Sequence, residues 1–135
     1  MSTYLAQPAT YVAMDHETDI LHLVAMWIVE GPRAFKALER AALDGAVPLN
    51  GETFLTCVLE GPDVVTMRLD GRDEWVSVVA RQDGLDTLVE VRSRGLRAQE
   101  GDVSAQDRAR FEQVVSMVAR ALDEVMSPVW ARGSR

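Results

Sequence analysis

Asp15, His16, Glu17, Asp19 and His22 form the densest group of potential ligands and proton carriers in this 135-residue chain. On a helix, Asp15, Asp19 and His22 fall at i, i+4 and i+7, one stripe on which two carboxylates and an imidazole could hold a metal ion. A plainer account is that acids gather at a helix start because the macrodipole favours negative charge there. His16 and His22 stand six residues apart, about 120° from one another around a helix of 3.6 residues per turn, so they do not make the histidine pair of zinc helices. No metal or other cofactor is expected, and Asp15, Asp19 and His22 are the residues at which one would bind. Asp19 and His22 are also the acid and base of a third, enzymatic reading, with arginines orienting an anionic substrate.

Cys57 is the single cysteine and falls on the inward side of an alternating run, where a thiol behaves as a small hydrophobe. One cysteine excludes an intramolecular disulfide and a Cys-rich zinc site. Ser77, Ser93, Ser104 and Ser116 lie outside any nucleophile-elbow pattern, and the chain has neither GxGxxG nor a Walker A lysine motif. No catalytic set is therefore named. Arg92, Arg94 and Arg97, with Arg68 and Arg81, could line a basic strip on a sheet face that takes an anion or an acidic partner segment. Cross-strand pairing of such arginines with glutamates on a solvated face is the plainer explanation of them.

The bulk properties are those of an ordinary globular chain: 47% hydrophobic and 26% charged residues, enough length for one core and too little for two. A net charge of −7 repels phosphate backbones and argues against nucleic acid as a partner. The charge is uneven, with 15 acids and 6 bases over 1–91 against 6 acids and 8 bases over 92–135. Only Lys36 of the 14 basic residues is a lysine, a usage that points to a GC-rich bacterial source. The first residues lack the basic start and unbroken apolar core of a secretory signal, and no run reaches the roughly 18 apolar residues that span a bilayer. A cytoplasmic protein without membrane contact is expected.

These residues must be positioned by elements whose periods can be read. Residues 1–14 read as a loose segment, with 10–14 a short edge strand at most. Over 17–30, Ile20, Leu23, Val24, Trp27 and Ile28 recur at the spacing of one helix face, with Asp15 as N-cap. Gly31 and Pro32 suit a stop and restart. Phe35, Leu38, Ala41 and Ala42 then stripe a second helix that ends at Gly45. Pro48 and Asn50-Gly51 mark a turn. Four alternating runs follow at 54–60, 64–70, 75–81 and 87–93, joined by turns too short for anything but antiparallel neighbours. A polar loop leads to Ser104, an N-cap with Asp107 three residues on, and to a helix striped by Phe111, Val114, Val115, Val118, Leu122 and Val125. Ser127-Pro128 should stop that helix, leaving a disordered tail at 131–135.

The predicted fold is α+β: two N-terminal helices, a four-stranded antiparallel meander and a long C-terminal helix on one sheet face, in a single domain over 15–130. The outline is similar to that of helix-grip domains, which would imply a cavity for an apolar ligand, and to small acidic secretion-chaperone domains. No motif ties the chain to either, so neither is an identification. Function is expected on apolar surface left uncovered. The first helix is apolar nearly all round, which makes Met26, Trp27 and Val29 candidates for an interface, and Trp75 and Val79 add to it from the far sheet face, with Phe54 and Val58. The leading expectation is a noncatalytic, homodimeric protein-binding or adaptor module. The alternative is a small apolar ligand between sheet and C-terminal helix, lined by Met67, Leu69, Val78, Phe111 and Val115.

Overall fold

The alternating runs between residues 53 and 93 form the meander that their turns dictate: β4 (Thr53–Gly61), β5 (Val64–Leu69), β6 (Val76–Asp83) and β7 (Asp86–Ser93), each antiparallel to the next. The structure, a computed structural model, describes residues 8–15, 17–18, 20–44, 46–49, 53–69 and 75–133; for 46–49, 53–55, 69 and 126–133 it describes the backbone. Alternation sorts the strands as read: Cys57, Val65, Met67, Val76, Val78, Ala80, Val89 and Val91 are buried on the inner face, while Thr66, Arg68, Ser77, Val79, Glu90 and Arg92 point to the outer one.

The predicted first helix is instead a strand, β2 (Ile20–Val29), which pairs with β1 (Ala9–Asp15), the stretch where the sequence allows a short edge strand at 10–14, so among the described residues one helix, not two, precedes the meander. The helical spacing was satisfied because nearly every position of Ile20–Val29 is apolar, and such a run fits a period of 3.6 and a period of 2 alike. Read in twos, Leu21, Leu23, Ala25, Trp27 and Val29 form one face, all buried in the core, and Ile20, His22, Val24, Met26 and Ile28 the other. An all-round apolar element is here an interior strand, flanked by β1 and β7. Asp15 makes the hydrogen bond expected of an N-cap, accepting from the Glu17 N–H at 3.0 Å, but it does so in the β1–β2 turn.

The second predicted helix is α1 (Arg33–Asp44), with Ala34, Phe35, Leu38 and Ala41 buried. It carries the chain from β2 to the opposite edge of the sheet, where the predicted turn at 46–51 begins as a strand, β3 (Ala46–Leu49), paired with β4. Proline within a strand is tolerated only at an edge, and Pro48 sits on one. Among the described residues the sheet therefore has the order β1-β2-β7-β6-β5-β4-β3, twice the expected four strands once the short β8 (Leu96–Arg97), paired with β2, is included. α2 (Ala105–Gly133) starts where predicted, Ser104 Oγ accepting from the Asp107 N–H at 3.1 Å, but runs through Ser127-Pro128. Its buried residues Phe111, Val114, Val115, Val118, Ala121 and Leu122 join α1 and the inner face in one core.

Candidate functional site

Both helices cover the inner face, so what the chain can offer is set by the outer face and by the end of the sheet near β8. On the outer face one cross-strand row runs Ala9, Met26, Glu90, Val79, Thr66, Val58 over six strands. Beside it lie Tyr11, Val24, Arg92 and Ser77, and on the other side Ile28, Leu88, Arg81 and Val64. Ile28 is 69% exposed, Tyr11 45% and Val58 42%, while Met26, Val79, Leu88 and Val64 are half-buried. Val24 is fully buried yet stands outside the main core, flanked by its cross-strand neighbours Tyr11 and Arg92. The result is an apolar surface broken by single charges, with Arg92 3.9 Å from Glu90 in a solvated pair of little energetic weight.

The interface candidates divide accordingly. Met26 and Val79 share the outer row, one on each side of Glu90. Trp27 and Val29 are buried on the inner face, and Trp75 is only 3% exposed. The Trp75 ring packs tilted against Phe111, centroids 6.2 Å apart, with the Arg110 guanidinium 4.6 Å over it. Its parity matches the outer face, but it precedes β6 and packs against Phe111 of α2 instead. The exposed Tyr11, Ile28 and half-buried Leu88 went unread as surface; the signal that finds Ile28 is the period-two reading of Ile20–Val29.

Of the ligand-pocket candidates, Met67, Val78, Phe111 and Val115 come together in the core between sheet and α2. The side chain of Leu69 lies outside the described residues. An open cleft of about 770 Å³ occurs elsewhere, at the end of the sheet, lined by Met14, Thr18, Ile20, Leu96, Arg97 and Ala98 with Gly95 and Gly101. Gly95 is required there by close approach, since a Cβ would lie 2.7 Å from Cγ2 of Ile20. Of the arginine candidates, Arg97 lines this cleft, Arg94 is exposed nearby in sequence, and Arg92 belongs to the outer face.

His22 has a structural task. Where β7 ends, its Nδ1 lies 2.9 Å from the Ser93 carbonyl, and the Leu23 N–H donates to Ser93 Oγ at 2.9 Å. Side chains thus replace ladder bonds as the chain leaves β7 and returns to pair with β2 as β8. Assigned from this contact, Nδ1 carries the proton that the carbonyl accepts. The helical stripe of Asp15, Asp19 and His22 does not exist on a hairpin, and Asp19 lies outside the described residues. Among the described residues no three of His, Cys, Asp and Glu gather as metal ligands. Burial pushes the Cys57 thiol up to about 11, so it is not a thiolate near neutrality. Among the described residues no helix is long and apolar enough to cross a membrane.

No family model and no curated protein matches the chain. It is similar to the crystal structure of CalU16 from Micromonospora echinospora at 12% identity and a TM-score of 0.36, over 96% of this chain and 97% of that one. A likeness at that score carries no functional information.

Proposed function

We propose that the chain is a noncatalytic, cytoplasmic protein-binding module that holds its partner on the outer face of the sheet. The observation that carries this reading is the group of apolar side chains Tyr11, Met26, Ile28, Leu88, Val79 and Val58, spread over three neighbouring cross-strand rows, which no element among the described residues covers. Contiguous apolar surface rimmed by polar groups marks interaction sites, and here Arg81, Glu90 and Arg92 supply the polar interruption that fixes register with a partner. The buried, neutral Cys57 thiol and the structural bond of His22 give these two side chains roles other than catalysis.

Site-specific photocrosslinking in the native cell tests it. A photoreactive side chain at Ile28 or Val58 should give a discrete protein adduct, and one at exposed Arg120 on α2 should not. Adducts of equal pattern at all three sites, or none at Ile28 and Val58, would remove the outer face as a binding surface.

A second reading follows from the cleft. Its volume falls within the range of small-molecule sites, and Arg97 offers a fork for a carboxylate or phosphate against apolar Met14, Ile20 and Leu96. A thermal-shift screen of small carboxylates and phosphate esters should find a stabilising anion whose effect is lost in Arg97→Ala. A flat response across the screen would sink this reading.

A further inference from the structure

The two edges of the sheet are treated differently by the sequence. β3 is four residues long and carries Pro48, both devices that keep an edge from pairing with another chain. β1 is seven residues long, ATYVAMD, without lysine, arginine or proline, and its one charge stands at the end, Asp15. Among the described residues β2 is its only strand neighbour, so its other side is a template for a further strand. Tyr11 and Met14 are 45% and 46% exposed along it.

We propose that β1 is the seam of a homodimer, pairing antiparallel with the same strand of a second copy about a twofold axis through Val12. The register follows from geometry. Directly opposed residues in an antiparallel pair share a face, so residues of one parity must oppose their own parity, and the axis must pass through a residue. Only Val12, the midpoint of Ala9–Asp15, brings all seven residues into the pair. Tyr11 then opposes Ala13 of the other copy and Thr10 opposes Met14, large side chains against small or polar ones, on each side of the axis. Asp15 opposes Ala9, so no like charges meet. The outer faces of both copies join in one continuous sheet, and Tyr11 and Ala13 link their apolar surfaces across the seam. One strand pair is a small interface, at the weak end of stable complexes, so the dimer dissociates on dilution. The occupant is a second copy rather than a foreign peptide because the strand is complementary to itself in size and charge.

The test uses the full chain and light scattering over a range of concentrations. The wild type should pass from the 14.9 kDa chain mass to twice that mass as concentration rises. Thr10→Asp with Met14→Asp opposes like charges twice across the axis and should hold the protein at the single mass, with unchanged circular dichroism. Thr10→Asp with Met14→Lys opposes unlike charges and should restore the doubled mass. In the wild type, hydrogen exchange of the β1 amides should slow at high concentration relative to low. A wild type that stays monomeric to its solubility limit, a dimer that survives the double aspartate, or β1 exchange independent of concentration would each overturn the seam. The seam does not depend on the outer-face reading: crosslinking at Ile28 can fail while the dimer stands, and the double aspartate leaves Ile28 and Val58 unchanged.

Discussion

At the scale of single residues, the informative side chains are those that replace backbone bonds or lose their water. Ser93 is 2% exposed and its hydroxyl accepts the N–H of fully buried Leu23. Ser93→Ala leaves that donor unpaired and should cost about 1–3 kcal/mol in urea unfolding; a loss within error of zero would mean that the bond contributes nothing net. Cys57 makes a prediction in pH. Its pKa in the folded chain, about 11, lies above the ordinary 9.0, so between these values an unfolded chain releases the proton that the folded one keeps. Stability from this group is whole below pH 9 and is lost as pH rises through 11. Urea midpoints should fall over that window more steeply in wild type than in Cys57→Ala, and parallel curves would assign the fall to other groups. Of these residue roles, the inward side of Cys57 was legible in the sequence from its place in an alternating run. It hid the role of His22, because the partner is a carbonyl 71 positions away.

At the scale of elements, the join between β7, β8 and β2 depends on Gly95. Placing a methyl group 2.7 Å from Ile20 Cγ2 forces the strands apart or Ile20 off its rotamer. Gly95→Ala should therefore destabilise by about 1–3 kcal/mol, the usual cost of overpacking. Ile20→Leu in the same chain, which removes the Cγ2 branch, should recover part of the loss in a double-mutant cycle; additive losses would show that the contact is not the cause. Local signals named several elements correctly: β4 to β7 by alternation, α1 by its stripe of Phe35, Leu38 and Ala41, and α2 by the Ser104 cap. They misnamed β2, since a strand apolar on both sides carries no alternation to read. They also missed β3 and β8, both too short to show a pattern.

For the molecule as a whole, the decisive pairing is β2 with β7, in which Val24 meets Arg92 across about half of the chain. Non-local pairing of this kind must close a long loop before it gains any contact, so folding is slow for the size. Stopped-flow refolding followed through buried Trp27 and Trp75 should fall in the range of about milliseconds to seconds; a single microsecond phase with full amplitude would contradict a transition state that needs this pairing. The same pairing gathers the candidate surface, because it sets Met26 and Val79 on either side of Glu90 in one row.

By itself the sequence determined the α+β class, the antiparallel meander, the inward side of residues such as Cys57, Met67 and Val78, and the long closing helix. These follow from neighbours within a few residues, where pleat, turn and helix period act directly on the pattern. Tertiary structure alone decided that Ile20–Val29 is a strand, that Trp27, Val29 and Trp75 lie inside while Tyr11 and Ile28 lie outside, and that β1 pairs, among the described residues, with β2 alone. The reason is physical: an apolar run fits either period until a partner strand supplies hydrogen bonds to its backbone, and which face meets water depends on where the helices land.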